Sequence, residues 1–259
     1  MNFDYLAYNR EERDLCAHLF RLLLEDQPNW RPLKEFLGID FIGSPRVYCE
    51  AALVRDAYYE RKVRKNMATG KPESANFLED LCELIASQEG VATGEFTKFS
   101  ELEPEELRQP WKTHPKQIAY KLKEAGKLEK PGDRQVYGSL QAIFNAKPDL
   151  VICVDDTLYI FEAKYTMPFD EKQLERTENI GKVWAELLYA DLGFESRPEV
   201  VVCKLGLDNN NAQMSGASQY SFTSWKNVYQ IAHKYLDESD FSMQVFSKRI
   251  RREVSPLNL

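Results

Sequence analysis

Two apolar segments joined by a tight polar turn are the feature that most constrains the fold of this chain. Asp149 to Val154 and Leu158 to Lys164 are rich in β-branched and aromatic residues, and Asp155-Asp156-Thr157 separates the two runs. Runs of this kind, joined by a short turn, are typical of an antiparallel β-hairpin. A helical pattern over 170–192 and another apolar strand over 199–205 follow. We therefore expect an α/β fold in which a small mixed sheet is flanked by helices.

Three ionisable residues lie at one end of the predicted hairpin. Side chains alternate between the faces of a strand, so Glu162 and Lys164 point to one face and Ala163 to the other. Asp149 begins the partner strand, so two carboxylates and an ammonium group converge on that face. Two ionised acids placed together repel each other and lose hydration. A divalent cation removes this cost, and oxygen ligands favour Mg²⁺ or Mn²⁺ over zinc.

The pattern Pro148-Asp149, twelve further residues and then Glu162-Ala163-Lys164 resembles the PD-(D/E)xK nuclease superfamily, whose core is restriction-endonuclease-like. The resemblance implies that Asp149 and Glu162 bind the catalytic metal, with the carbonyl group of Ala163 as a further ligand. It implies that Lys164 positions or deprotonates the attacking water. The expected activity is that of a Mg²⁺-dependent nuclease, with Mn²⁺ as a substitute, which cleaves DNA as an endonuclease in restriction or antiviral defence. The competing interpretation is a surface hairpin with an incidental Glu/Lys ladder.

Two more residues agree with this resemblance. Glu12 lies on the apolar face of a predicted first helix over 9–25, and the superfamily often places a first-helix Glu beside the metal. The alternative for Glu12 is a capping box that begins at Asn9. Gln173 lies on the buried face of the helix over 170–192, where some members place a Gln near the Lys and the substrate phosphate. The alternative for Gln173 is a hydrogen bond to the backbone near the helix start.

The chain is expected to divide into four segments. They are the N-terminal helices of the nuclease core over 1–59, a helical and basic insertion over 60–134, the catalytic core over 135–238 and a basic C-terminal tail over 239–259. The insertion would serve substrate recognition or partner binding. We expect a helix over 47–59, and an edge strand that precedes the hairpin over 136–144.

The basic residues are clustered, although the net charge of −7 taken alone argues against nucleic-acid binding. Phosphate binding depends on local rather than total charge. Lys and Arg residues form three clusters, which lie over 61–71, 108–134 and 248–252. We expect contacts with nucleic acid, DNA being favoured, from Arg61, Lys62, Arg64, Lys65, Lys112, Lys116, Lys121, Lys123 and Lys127. The competing interpretation is that these residues form solvated helix faces.

Composition narrows the possible classes of protein further. Hydrophobic residues make up 43% of the chain, enough for a core, but no run approaches the ~20 apolar residues that span a bilayer. The five cysteines include no C-x-x-C pair, which indicates reduced thiols in a cytoplasmic protein. We expect no membrane partner, and we leave open a homodimer or a partner subunit. The alternative functions are an RNase, a defence nuclease activated by a signal, and an inactive nucleic-acid-binding module.

Overall fold

The computed structural model describes residues 12–63, 73–108, 113–165, 168–207 and 220–254. The chain divides into two compact units. The core unit comprises Met1–Ala51, Pro148–Glu178 and Pro198–Leu259, and the helical unit comprises Ala52–Lys147 and Asn179–Arg197. The helical unit therefore begins before the insertion expected over 60–134, ends after it, and includes a second segment of chain.

The sheet of the core unit combines antiparallel and parallel pairing. Its described strands are β1 (Arg46–Cys49), β2 (Leu150–Val154), β3 (Thr157–Ala163), β4 (Glu199–Gly206) and β5 (Ser221–Ser224), and they lie side by side in that order. β1, β2 and β3 pair antiparallel, whereas β3, β4 and β5 pair parallel. The expected hairpin is thus confirmed as β2–β3. The expected α/β architecture with a small mixed sheet flanked by helices is also confirmed.

The helices belong to both units. Those described are α1 (Glu12–Leu23), α2 (Arg31–Leu37), α3 (Leu53–Val63), α4 (Glu73–Gln88), α5 (Ile118–Glu124), α6 (Asp133–Asn145), α7 (Glu171–Leu187), α8 (Trp225–Tyr235) and α9 (Phe241–Val254). Short 3₁₀ turns cover Phe99–Glu101, Glu105–Arg108 and Pro115–Gln117. Ser224 caps α8, because its hydroxyl oxygen accepts the backbone N–H of Asn227 at 3.1 Å. No described helix combines the length and the apolar composition needed to cross a membrane.

One face of the sheet forms the hydrophobic core of its unit. Alternate strand residues such as Ile152, Phe161 and Leu205 are buried there, and α1, α2, α8 and α9 supply the apolar side chains that cover them. Because strand side chains alternate, Glu162 and Lys204 project from the opposite face. The core thereby fixes the strand ends that carry the candidate site.

The edge strand expected over 136–144 is wrong, because this segment lies within α6. The buried residues Val136, Tyr137, Leu140, Ile143 and Phe144 recur at helical spacing and form one apolar stripe. The edge strand beside β2 is instead β1. The helix expected over 47–59 is therefore wrong in its first part, and the helix α3 begins only at Leu53.

The C-terminal segment is not only a basic tail. Residues 241–254 form the helix α9, on which Met243, Val245, Phe246 and Ile250 are buried in the core. Arg249 is buried as well and its guanidinium lies 2.9 Å from the Asp14 carboxylate of α1. The expectation of a basic C-terminal tail over 239–259 is corrected for the described part, because the segment forms a helix with a regular apolar face.

Candidate active site

Asp149 and Glu162 are neighbours across the hairpin. Leu150 lies opposite Phe161 in the β2–β3 register, so the next pair along the ladder is Asp149 and Glu162, whose side chains share a face. The Asp149 carboxylate accepts the backbone N–H of Ala163 at 2.7 Å. This bond fixes the Asp149 side chain against the end of β3.

Glu162 is held by two side chains of α7. Its carboxylate accepts the Thr177 hydroxyl at 2.6 Å and the Gln173 amide at 2.8 Å, one on each oxygen. Gln173 and Thr177 are four residues apart and so lie on the same face of the helix. The predicted residue Gln173 thus contacts Glu162, not the backbone. Thr177 was missed as a functional residue, although its position four residues after Gln173 was the available signal.

The two carboxyls are largely withdrawn from solvent, Glu162 being buried and Asp149 half-buried. Glu162 is 8% exposed, and burial is the main cause that raises its pKa above the ordinary value, with the Asp149 charge adding to it. Burial likewise raises the pKa of Asp149, while the Ala163 N–H and the Lys164 ammonium oppose that rise. The Lys164 charge also favours ionised Glu162. The site therefore keeps two carboxyls where their ionised forms are costly and one cation compensates part of that cost.

Lys164 follows directly after β3, and its main chain is fixed on both sides. Its N–H donates to the carbonyl of Leu205 on β4 at 2.8 Å, and its carbonyl accepts the indole N–H of Trp225 on α8 at 3.0 Å. The Lys164 side chain is half-buried. Its ammonium group is thus attached to a rigid point of the backbone beside both carboxyls.

Glu12 also reaches this end of the sheet. Its carboxylate accepts the backbone N–H of Tyr165 at 3.2 Å, and its negative charge contributes to the raised pKa of Asp149. The first turn of α1 therefore abuts the candidate site. The alternative partner Asn9 lies outside the described residues.

Glu50 is an acid beside the site that sequence reasoning missed. Cys49 pairs with Leu150, so Glu50 lies opposite Asp149, and its N–H donates to the Asp149 carbonyl at 3.2 Å. Its charge raises the pKa of Asp149, and its carboxylate lies 3.2 Å from the Arg13 guanidinium. Its position beside Asp149 could not be predicted, because the segment over 47–59 was expected to be one helix.

Lys204 is the other unanticipated charge. It is 2% exposed and pairs in register with Glu162 on the neighbouring parallel strand. Its ammonium lies 5.9 Å and 5.7 Å from the ring centroids of Phe169 and Tyr220, distances at which a cation and a π-system attract. The signal in the sequence is one lysine inside the apolar strand over 199–205.

The donor chemistry of the site suits a hard divalent cation. Mg²⁺ is usually bound by one or two carboxylates, with water and substrate oxygens completing its shell, and not by an all-protein cage. Asp149 and Glu162 provide such a pair, and the Ala163 carbonyl is an oxygen ligand of the same kind. Within the described residues, no three acidic, histidine or cysteine side chains are grouped closely enough to hold a metal as they stand. The residues fit a Mg²⁺ site with few protein ligands, not a closed one.

The predicted nucleic-acid contacts belong to the helical unit. The described ones differ in solvent exposure and in whether the side chain is already engaged in an ion pair. Arg61 is engaged within that unit, since it pairs with Asp191 at 2.5 Å and lies 4.8 Å from the Phe77 ring centroid. Lys116, Lys123 and Lys127 are exposed, whereas Lys62 and Lys121 are half-buried. The expected contacts Arg64, Lys65 and Lys112 lie outside the described residues.

Comparisons with protein-family models, with curated proteins and with solved structures gave no significant match. The resemblance to the nuclease superfamily therefore depends on the residues of the hairpin and on their surroundings. Asp149, Glu162, Lys164, Glu12 and Gln173 lie at one end of the sheet, where the hydrogen bonds described above link them to α1 and α7. Such an arrangement can bind a cation and place an ammonium group beside it.

Proposed function

We propose that this protein is a Mg²⁺-dependent nuclease that hydrolyses phosphodiester bonds of DNA on a restriction-endonuclease-like core. The observation that carries the proposal is the adjacent pair of carboxyls, half-buried Asp149 and buried Glu162, with the Lys164 charge beside both. A structural hairpin has no need of such a pair, because burying two like charges without a metal costs free energy. Perturbed carboxyls gathered in this way are typical of functional sites.

Each residue of the site has a role that follows from its position. Asp149 and Glu162 would hold Mg²⁺, with the Ala163 carbonyl and Glu12 as further oxygen ligands. When bound, this ion supplies Lewis-acid polarisation of the phosphate and a lowered pKa for its water. Lys164 orients the attacking water and stabilises negative charge on the phosphate. Gln173 and Thr177 fix the Glu162 carboxylate through the bonds to its two oxygens.

The proposal also places the protein in a reducing compartment such as the cytoplasm. All five cysteines lie within the described residues and are free thiols. Burial raises the pKa of the Cys49 thiol to about 11 and that of Cys153 to about 12. These thiols are therefore poor nucleophiles and act as small apolar residues.

The test is cleavage of linear, circular and single-stranded DNA and of RNA, each with Mg²⁺ and with EDTA. We expect Asp149→Asn, Glu162→Gln and Lys164→Met each to lower Mg²⁺-dependent cleavage by about 10²-fold or more. The matched controls are Asp156→Asn in the exposed hairpin turn and the exposed Lys172→Met, which should cleave normally. Circular dichroism checks that each variant is folded. Cleavage retained in two of the three site variants contradicts the assignment, and a preference for RNA transfers it to that substrate.

A further inference from the structure

One face of the helix α3 in the helical unit carries two cations and an exposed aromatic ring. Arg55, Tyr59 and Lys62 are spaced i, i+4 and i+7 and therefore share a face. The Tyr59 side chain is 42% exposed, and the Lys62 ammonium lies 5.8 Å from its ring centroid. The aromatic ring and the cations are thus presented side by side.

His114 lies against the same face and adds a hydrogen-bond donor. Its ring centroid is 6.0 Å from that of Tyr59 and 5.6 Å from that of Phe144. The Nδ1 atom accepts the backbone N–H of Lys116 at 3.2 Å, so in the neutral ring the proton is on Nε2. Burial and then the charges of Lys116, Lys62 and Arg55 lower the pKa of His114. The ring is therefore a neutral N–H donor within the electrostatic influence of three cations.

Asp56, the acid that contacts Arg55, does not cancel its charge. Asp56 lies 3.4 Å from the Arg55 guanidinium, and both side chains remain partly solvated. Asp56 therefore reduces the effective charge of Arg55 only weakly. Arg61, by contrast, points to Asp191 and does not add to the face. Arg55, Lys62 and Lys116, with Tyr59 and His114, are named here the cation–aromatic cluster.

We propose that the cation–aromatic cluster binds the sugar–phosphate backbone of a nucleic-acid strand, with Tyr59 packing against a sugar or base. This deepens the proposed function, on which it rests for its substrate class. Cations that track phosphates, interleaved with an aromatic ring, form the usual surface for single-stranded nucleic acid. A neutral imidazole N–H suits a phosphate oxygen and carries no sequence preference. The combination favours a polynucleotide over an acidic protein, which offers no planar base to the Tyr59 ring.

The test measures binding apart from cleavage. The full chain carrying Asp149→Asn is titrated, in EDTA, against a short fluorescein-labelled single strand and the matching duplex over a series of salt concentrations. Removing Arg55, Lys62 and Lys116 as Arg55→Gln, Lys62→Gln and Lys116→Gln together should weaken binding and reduce the salt slope on the duplex by about 3, about one for each phosphate contact. The control triple variant, Lys98→Gln, Lys226→Gln and Lys234→Gln, has the same net charge and should keep the wild-type slope. Tyr59→Ser should weaken single-strand binding by about five-fold or more.

The outcomes separate the cluster from the catalytic proposal. An unchanged slope in the cluster variant, or an equal loss in the control variant, overturns the inference, and so does equal competition by poly-glutamate. If wild-type protein cleaves DNA but the slope does not change, the inference fails and the proposed function stands. If the slope falls as expected but no substrate is ever cleaved, the proposed function fails and the binding surface stands.

Discussion

At the scale of single residues, the carboxyls of the candidate site lower the stability of the metal-free fold. A carboxylate transferred from water to a partly buried position loses hydration that hydrogen bonds replace only in part. Asp149 receives one backbone N–H and lies near the charges of Lys164, Glu12 and Glu50, two of which are unfavourable. Glu162 receives two donors but faces Asp149. Such local costs are common where binding is the selected property.

Asp149→Asn should therefore stabilise the metal-free protein at neutral pH. Because the folded-state pKa of Asp149 is raised, the folded protein binds its proton more tightly than the unfolded chain does, and stability falls as pH rises through that pKa. Below the unfolded value of about 3.9 the carboxyl is protonated in both states and the difference disappears. We expect a gain of about 0.5–2 kcal/mol in the free energy of unfolding at neutral pH. Urea unfolding in EDTA at neutral and acidic pH measures it.

Asp156→Asn is the control for this prediction, since Asp156 is exposed in the hairpin turn and should leave the free energy of unfolding unchanged. A loss of stability in Asp149→Asn at neutral pH would mean that the carboxylate is favourable where it lies. The cost described for the site would then be absent.

Thr177 offers a second prediction at this scale. Thr177→Val keeps the shape of the side chain but removes the hydroxyl that donates to Glu162, so one carboxylate oxygen is left without its donor, at a cost of about 1–3 kcal/mol. The looser carboxylate should raise the Mg²⁺ concentration for half-maximal cleavage by about 10–100-fold. Thr177→Ser retains the donor and should restore most of both properties. If Val and Ser behave alike, the hydroxyl does not position Glu162.

At the scale of elements, predictability followed the range of the interactions that define each element. The hairpin could be predicted because β2, its turn and β3 are contiguous and pair with each other. β1 could not, because it is four residues long, has no buried residue and is defined by pairing with a strand a hundred residues away along the chain. The edge strand predicted over 136–144 lies inside α6 instead, and the apolar spacing there is helical. The position of Glu50 beside Asp149 depends on β1 and was therefore not predicted either.

The helix α9 was also unpredicted, since its basic residues suggested a tail while its apolar face repeats at helical spacing. Within it, Arg249 pairs with Asp14 of α1, and its carbonyl accepts the Tyr165 hydroxyl. Arg249→Met should destabilise the protein by about 3 kcal/mol, because it removes the guanidinium that lies beside the largely buried Asp14 carboxylate. Lys248→Met removes an equal charge from an exposed position of the same helix and should change stability by less than about 1 kcal/mol. Urea unfolding measures the free energy of unfolding of both variants. Equal losses would show that the Arg249–Asp14 pair does not stabilise the packing of α1.

At the scale of the whole molecule, the position of a charge along the chain does not give its position in the fold. The basic stretch over 108–134 contains Arg108, which bonds to Glu103 and Ser100, and Lys130, which donates to the Phe96 carbonyl. These residues serve the fold of the helical unit, as Arg61 does. The cation–aromatic cluster, in contrast, takes its members from separate parts of the sequence. Clustering in sequence therefore does not tell which basic residues are exposed, because that depends on the contacts each makes in the folded chain.

The net charge of −7 and the adjacent carboxyls of the candidate site both predict that Mg²⁺ stabilises the protein, but by different mechanisms. Screening of net charge acts on the whole surface and is reproduced by other salts at equal ionic strength. Binding at Asp149 and Glu162 adds about 2.7 kcal/mol at a hundred-fold excess over Kd, which corresponds to several degrees in Tm. We expect wild-type protein to show this rise in Mg²⁺ relative to NaCl of equal ionic strength. The double variant Asp149→Asn, Glu162→Gln should show none. An equal rise in both proteins would mean that the ion acts by screening alone, and the candidate site would then hold no magnesium.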